Sequence, residues 1–235
     1  MLRYYSSPFK IVMRGVFLKN YTKKEAIQII TSTARLYSKS LLNKNFLFIY
    51  RDRKSNSIQF FETVFLARHF QHLCGVEFID KDEEVVIHNA SFFFDKCTKG
   101  VLAEEEIRLR EDGTTNLKLE TLPKIVSFVQ FSKMTVTYSG NRPKLSVDRF
   151  AGTVNYSLGF TLDGDYYMPS SCLLEDIRNL GHNPSQILAI LSKDSHDNTG
   201  IYKKINYVAK GVPLDKLNMP DELINIIDLT DYISK

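Results

Sequence analysis

The stretch GTVNYSLGFTLDGDYYMP (residues 152–169) contains the strongest short hairpin signal of the chain. Its two strand-like runs meet at Asp163-Gly164, a dipeptide typical of the tight turn between antiparallel strands. Further strand-like runs precede and follow it: KMTVTYSG (133–140), SQILAILSKD (185–194) and YKKINYVAKG (202–211). Residues 133–211 are therefore predicted to form an antiparallel sheet of four or five strands.

The first part of the chain has the pattern of a helix followed by a small hairpin. In TKKEAIQIITSTARLYSKSLL (22–42), Thr22 and Glu25 make a capping box ahead of an apolar stripe, which predicts a helix. NFLFIYRD (45–52) and SIQFFETVF (57–65) have strand composition and are separated by polar turn residues. These two runs predict a hairpin apart from the main sheet.

Two shorter helices are predicted next, each with a recognisable end. One covers about residues 63–74, and Gly75 can terminate it. The other lies in HNASFFFDKCTKG (88–100), with Asn89 as its N-cap. Glycine suits the position after a helix because it adopts the left-handed backbone conformation without strain.

The remaining predicted helices flank or follow the sheet. TNLKLETLPKIVSFVQFSK (115–133) has helical periodicity, with Pro123 in a first turn or at a kink. SCLLEDIRNLG (171–181) predicts a short helix or turn capped by Ser171. MPDELINIIDLTDYI (219–233) predicts a terminal helix.

This order of elements predicts an α+β fold, with N-terminal helices and a small hairpin before the antiparallel sheet and a helix after it. The expected organisation is an N-terminal arm (1–21), one domain (22–211) and a C-terminal helical extension (212–235). Within the domain, residues 22–132 form the helical part and residues 133–211 the sheet part.

Composition is that of an ordinary globular protein. Hydrophobic residues make up 43% of the 235 residues and charged residues 25%, and no stretch has the apolar length of a membrane span or of a signal peptide. Cys74, Cys97 and Cys172 are odd in number and widely separated, which favours a reducing compartment such as the cytoplasm. The net charge of +4 permits a polyanionic partner without demanding one.

Seven collinear segments resemble a known nuclease group. They are KNFLFIYRD (44–52), VFLARHFQHLCGV (64–76), DGTTNLKLETLP (112–123), FSKMTVTYSG (131–140), FAGTVNYSLGF (150–160), YYMPSSCLLEDIRNL (166–180) and INYVAKG (205–211). Their order is similar to that of the phage and mobile-element Barnase–EndoU–colicin–RelE-like nucleases, fourth subgroup, from about residue 22 to 211. His72-Leu73-Cys74-Gly75 resembles the family's His-Leu-Thr-Gly stretch, with cysteine in place of threonine. Pro169-Ser170-Ser171 resembles its Pro-Asn-Thr-like turn and keeps the proline and a hydroxyl.

The resemblance implies RNA cleavage without a metal ion or cofactor, by transesterification to a 2′,3′-cyclic phosphate. The implied partner is RNA, with tRNA a candidate by family resemblance alone, and the implied location is the cytoplasm of a bacterial host, away from membranes. Whether this chain retains catalysis, and in what oligomeric state, stays open. Fold does not fix function, so the site residues must carry the hypothesis.

Three residues are the catalytic candidates. His72 can serve as acid or base because its ordinary pKa lies near neutrality; the alternative is a helix-end histidine bonded to a backbone carbonyl. Lys133, which opens the first strand of the predicted sheet, can bind the scissile phosphate, although most lysines are solvated surface residues. Ser170, predicted on a turn, can contact phosphate; the alternative is helix capping.

Five more residues are the substrate-binding candidates. Arg68 could face the same cleft as His72, or be a solvated surface arginine. His69 could orient His72 or meet a phosphate, or be a surface residue. Arg178 could bind substrate, or pair with Glu175 and Asp176. Tyr138 and Tyr156 are candidate base-stacking surfaces, with Tyr167 a further one, although strand tyrosines usually pack inside proteins. Metal-ligand spacings and the HExxH, GxSxG, Walker and GxGxxG motifs are absent from the sequence.

A second hypothesis keeps the fold and removes the catalysis. A nuclease fold without activity could bind and block a host defence protein, or sequester a nucleic acid. The cysteine at position 74 and the modest net charge are compatible with this alternative. A basic surface on which His72 and Lys133 converge would favour the enzyme instead.

Overall fold

The computed structural model describes residues 19–80, 82, 85–140 and 145–233. Residues 1–18 of the predicted N-terminal arm lie outside the described residues. The helices are, in chain order, α1 (Lys23–Ser40), α2 (Ala67–Cys74), α3 (Ala90–Lys99), α4 (Thr114–Thr121), α5 (Phe128–Phe131), α6 (Asp221–Ile224) and α7 (Thr230–Ile233).

The described part of the chain also contains ten strands. They are β1 (Lys44–Arg51), β2 (Ile58–Phe65), β3 (Val76–Phe78), β4 (Ile107–Leu109), β5 (Met134–Thr137), β6 (Arg149–Gly152), β7 (Ser157–Asp163), β8 (Tyr166–Leu173), β9 (Ser185–Asp194) and β10 (Lys204–Val208). β3 and β4 pair with each other, and the other eight strands form one sheet in the order β1-β2-β8-β7-β6-β5-β9-β10.

The large sheet closes into a seven-stranded barrel because β1 pairs with both β2 and β9. β10 pairs with β9 outside the ring. The ring is antiparallel except where β2 meets β8, a parallel contact made by the single pair Thr63↔Tyr167. The α+β class is confirmed, whereas the prediction of a separate hairpin and a four- to five-stranded sheet is wrong in detail, since the hairpin strands join the same sheet.

Strand register gives the barrel two distinct ends. The end that we call the loop end carries Arg51, Ile58, Thr137, Arg149, Asp163 and Ser185, because the hairpins β1–β2, β5–β6 and β7–β8 all turn there and β9 begins there. The opposite end, here the helix end, is packed by α1, α2 and α5. Tyr37 of α1 contacts Phe65 and Phe70 edge-on, and Phe128 of α5 contacts Phe160.

The two faces of β1 explain how the sheet is buried on both sides. Phe46, Phe48 and Tyr50 face the main core, where Phe48 stacks on Phe61 with ring centroids 4.7 Å apart. Leu47 and Ile49 face the other way, towards the C-terminal segment. A strand that is covered on both faces reads as a continuous apolar run, as NFLFIY does.

The helix boundaries follow the local signals in the sequence. Thr22 and Glu25 form the predicted capping box at α1, and the Asn89 side chain accepts the Phe92 N–H at the start of α3. The helix predicted over 115–133 is divided into α4, a 3-10 turn that contains Pro123, and α5. Proline removes a backbone donor, which accounts for the tighter turn at this point.

Two predicted caps and ends differ from the structure. Ser171 lies inside β8, and the short turn after it, Ile177–Asn179, is capped by the Asp176 side chain. The predicted terminal helix is two short helices, α6 and α7, and Ile227, which lies between them, forms a β-bridge with Tyr202.

Among the described residues, no helix combines the length and apolar character needed to cross a membrane.

Candidate functional site

The short helix α2 carries the histidine pair that the sequence singled out. Leu66 precedes it and offers no side-chain cap, so the His69 ring takes over: its Nδ1 accepts the Leu66 N–H at 3.2 Å. Gly75 ends the helix in the left-handed conformation, with φ of 69°. The two ends of α2 are thus fixed by His69 and Gly75.

His69 is buried, with 6% of its surface exposed. Burial, with the nearby Arg68 and His72, lowers the pKa of its imidazole from 6.5 to about 4. The ring is therefore neutral at pH 7 and engaged in the start of α2. This position favours a structural role for His69 over contact with a substrate.

His72 lies three residues further on and is exposed. Partial burial of the ring lowers its pKa below the ordinary value of 6.5, and the charges of Lys118 and Arg110 lower it further. A neutral imidazole can accept a proton, so His72 is available as a base near pH 7. The alternative of a carbonyl-bonded helix-end ring has no support among the described hydrogen bonds.

Lys118 of α4 connects this histidine to the end of α2. Its Nζ donates a hydrogen bond to the His72 carbonyl oxygen, and its aliphatic stem lies directly over Gly75. Burial lowers the pKa of this amine. A cation is favourable here because the C-terminal carbonyls of a helix carry partial negative charge.

A buried threonine holds the neighbouring segments together. Thr115 donates to the Gly75 carbonyl oxygen and accepts the Arg110 N–H at 2.9 Å. These bonds place the exposed Arg110 side chain within electrostatic reach of His72. Asp112 also interacts with the Arg110 and Lys118 charges. We call His72, Lys118, Arg110 and the exposed Arg68 the α2 cluster.

Cys74, which stands where the resembling family has threonine, is fully buried. Burial raises the pKa of its thiol well above the ordinary value, and the nearby Cys97 and Cys172 add to that shift. A thiol nucleophile must be ionised and accessible, and Cys74 is neither. The substitution is a packing change beneath the α2 cluster.

Lys133 is exposed and lies just before β5. Its backbone bonds both to Gly152 and to Ile187, and its Nζ lies 4.0 Å from the centroid of the Tyr207 ring. Tyr207 belongs to β10, outside the barrel ring. Lys133 is therefore available to solvent but is already partnered by an aromatic face.

Ser170 lies within β8 rather than on a turn. The β7–β8 register shifts between Gly159 and Phe160, and Ser170 is the extra residue of that bulge. Its hydroxyl accepts a hydrogen bond from Thr161 at 3.1 Å and donates to the Gly159 carbonyl oxygen at 3.4 Å. The predicted turn is corrected, and the hydroxyl is held by β7.

The other predicted binding residues have structural partners. Arg178 forms a bidentate pair with Asp176 at 2.6–3.0 Å, as its alternative interpretation anticipated. Tyr156 is buried, which raises the pKa of its phenol to about 12. Tyr138 packs edge-on against Phe150 at 5.3 Å. Tyr167 remains half-buried on the inner side of β8.

The structure brings together a different set of residues from the one that the sequence suggested. Among the described residues, no hydrogen bond, ion pair or ring contact joins His72 to Lys133 or Ser170. The cations next to His72 are Lys118 and Arg110, which the sequence reasoning missed. A lysine between two buried leucines, Leu117 and Leu119, was the available signal, but the contact with His72 spans 46 residues.

The described part of the chain contains no group of three or more His, Cys, Asp or Glu side chains able to hold a metal ion.

Comparison with known proteins gives one family. The model of the phage-Barnase-EndoU-ColicinE5/D-RelE like nuclease 4 family, PBECR4, matches residues 29–210. No curated protein and no solved structure matches the chain. This match spans all seven strands of the barrel, β10 and the whole α2 cluster, so the chain belongs to the PBECR4 family of phage Barnase-EndoU-colicin-RelE-like nucleases.

Proposed function

We propose that the chain cleaves RNA by metal-independent transesterification at the α2 cluster, with His72 as the base. The observation that carries this proposal is an exposed imidazole, kept neutral at pH 7, beside the cations Lys118 and Arg110. Membership of a nuclease family supports a nucleic-acid substrate. The choice of RNA and the chemistry are the proposal.

In this mechanism His72 removes the proton of a ribose 2′-hydroxyl. The 2′-oxygen forms a bond to phosphorus while the bond from phosphorus to the 5′-oxygen breaks, and that oxygen takes a proton from solvent. The products are a 2′,3′-cyclic phosphate and a 5′-hydroxyl. Arg110 and Lys118 stabilise the negative charge that builds up on the phosphoryl oxygens.

Arg68 extends the same positive surface. It is exposed, and its charge reaches His69, one turn before His72. Exposed cations attract a polyanion without reading its sequence, which is compatible with a broad RNA substrate range that includes tRNA. Lys133 and Ser170 stay predictions as catalytic residues, to be tested separately.

The test is cleavage of total bacterial RNA in the presence of a chelator by the His72→Gln variant. Loss of a general base lowers the rate by about 10²- to 10⁴-fold. His182→Gln is the matched control, because His182 is an exposed histidine outside the cluster. An RNA with a deoxyribose at the cleavage site should resist cutting, since the nucleophile is missing.

The pH profile adds an independent measurement. Only neutral His72 can accept the proton, and its lowered pKa keeps it neutral to below pH 6.5. Cleavage should therefore decline in acid only at a pH lower than the 6.5 at which an ordinary histidine titrates. If His72→Gln cuts as fast as His182→Gln, the base lies elsewhere.

One observation favours a second candidate function, a nuclease fold that binds nucleic acid without cleaving it. The two other predicted catalytic residues, Lys133 and Ser170, make their described contacts away from His72. Wild-type protein that binds RNA but leaves it intact under the conditions above would establish this alternative. Nothing in the described residues singles out a host protein as the partner.

A further inference from the structure

An arginine at the loop end of the barrel points its guanidinium across the barrel interior. Arg149 opens β6, yet its Cζ lies 4.9 Å from the ring centroid of Phe61, 5.2 Å from that of Tyr50 and 5.6 Å from that of Tyr167. These rings belong to β1, β2 and β8. Four strands thus converge on one cation, and we call this group the Arg149 cage.

The cation in this cage has no anionic partner among the described residues. Its Nε is buried and makes no hydrogen bond, and its one described bond is a long contact of 3.4 Å from a terminal nitrogen to the Thr135 hydroxyl. Arg178, by contrast, has its guanidinium paired by both oxygens of Asp176. A guanidinium offers five donors in a rigid fork, so most of the capacity of Arg149 is unused.

The aromatic rings hold this unused fork in a fixed orientation. Flat packing on ring faces stabilises a guanidinium without consuming its donors. Among the described residues, the covered Nε–H faces only these rings, which fix the fork in place and leave its other terminal N–H groups to a ligand. The rings pre-organise the fork, and an oxyanion would complete it.

The cage lies where a ligand can reach it. Arg149 and Tyr167 are both partly exposed, and Arg51 and Gln59 lie at the same end of the barrel. The mouths of β-barrels are common places for small-molecule sites. Among the described residues, no hydrogen bond, ion pair or ring contact joins the Arg149 cage to the α2 cluster.

We propose that the Arg149 cage binds the phosphate group of a nucleotide. The planar fork matches two phosphate oxygens, with N–H groups of its two terminal nitrogens as the paired donors. The partly exposed Tyr167 ring lies beside the guanidinium and offers a face on which a base stacks. The phosphate is that of a free nucleotide or of a strand, and this site does not depend on cleavage at His72.

The experiment compares wild-type protein with Arg149→Met and Arg149→Lys in binding to three probes: inorganic phosphate, AMP and a short 2′-O-methyl oligonucleotide, which cannot be cut at the 2′ position. Calorimetry gives the affinities, and the ¹H–¹⁵N signal of Arg149 Nε reports contact. Both variants should lose at least about tenfold in AMP affinity, because lysine keeps the charge but not the fork. The Nε signal should shift on addition of phosphate or AMP.

Arg53→Met is the matched control, since Arg53 is an exposed arginine in the β1–β2 turn of the same barrel end. It removes the same charge without touching the cage and should bind phosphate and AMP as wild type does. Thermal unfolding separates binding from folding: AMP should raise the melting temperature of the wild-type and Arg53→Met proteins but not of Arg149→Met.

The three probes also identify the source of the phosphate. Loss of affinity for AMP and the oligonucleotide together assigns the cage to a strand; loss for AMP alone assigns it to a free nucleotide. The proposal is overturned if wild-type protein binds neither AMP nor the oligonucleotide, or if Arg149→Met binds both as tightly as wild type. A cleavage defect in His72→Gln with unchanged AMP binding would keep the two sites distinct.

Discussion

The buried ring of His69, at the start of α2, makes the free energy of unfolding depend on pH. Its folded pKa of about 4 lies below the 6.5 of an unfolded histidine, mainly because of burial. Between these two values the unfolded chain binds a proton that the folded chain excludes. The free energy of unfolding is therefore full at pH 7 and falls as pH drops from 6.5 towards 4, by roughly 3 kcal/mol from this group.

The substitution His69→Gln tests this linkage. Glutamine at the third helical position can accept the Leu66 N–H as the histidine does, but it does not titrate. Urea unfolding at pH 7 and pH 4.5 should show similar stability at pH 7 and a smaller acid loss in the variant. His196→Gln, which changes an exposed histidine, serves as the control. An acid loss equal to that of wild type would show that the buried ring is not its source.

At the scale of the residue, the sequence could identify the histidine pair but not which histidine is structural and which is exposed for catalysis. His69 and His72 are three residues apart on a helix, and each has one polar and one apolar neighbour, so the local pattern leaves open which ring is buried. The ring contacts of Arg149 could not be predicted from the sequence, for another reason. Its ring partners come from three other strands, and their meeting depends on barrel closure, which no local pattern encodes.

At the scale of the element, the end of α2 depends on Gly75 and Lys118 together. A Cβ at Gly75 would lie 2.6 Å from the Lys118 Cδ, and the backbone there has φ of 69°. Gly75→Ala must therefore adopt a strained backbone and push away the side chain that caps the helix. We expect a loss of about 2–3 kcal/mol in unfolding free energy.

Gly164→Ala provides the matched comparison. Gly164 has φ of 60° with nothing near its missing Cβ, so alanine there incurs only the backbone strain, about 1–2 kcal/mol. Denaturant melts of both variants, and of Gly75→Ala combined with Lys118→Ala, separate the two effects. Strictly additive losses in the double variant would mean that the Lys118 contact is not responsible.

Element prediction succeeded where local chemistry decides the outcome. The caps of α1 and α3, the glycine after α2 and the β7–β8 hairpin all follow from side chains within a few residues. It failed for β6, whose four residues RFAG carry no alternating pattern. The terminal helix also failed, because residues between α6 and α7 pair with the Tyr202 segment instead of continuing the helix.

At the scale of the whole molecule, the C-terminal segment covers the outer face of the barrel. Leu214 and Leu223 are fully buried against a cluster that contains Leu47, Leu188 and Leu191. A chain that ends at residue 211 should expose that face. The two leucines alone contribute about 3–6 kcal/mol, so the shortened chain should unfold at lower urea concentration and bind an apolar dye.

A chain that ends at residue 229 is the control. It lacks only the last turn, in which Ile233 is 67% exposed, and should retain most of the stability. If the chain ending at 211 unfolds at the same urea concentration as the full chain, residues 212–235 are a detachable extension. The buried leucines argue that they are part of the domain.

During synthesis at the ribosome, the strand pairings that close the barrel must form in a fixed order. β1 and β2 can pair as soon as both have emerged, but the second edge of β1 waits for β9, and Ser185 lies 132 residues after Arg53. Until then the nascent hairpin presents an open apolar edge, the kind of surface that recruits chaperones or mispairs. Tyr50 and Phe61 emerge long before Arg149, so the cage they form is completed late in translation. The residues of the α2 cluster, within 68–118, are translated earlier, but Cys172 of β8 donates to the Leu73 carbonyl oxygen, so the packing of α2 on the sheet also waits for β8.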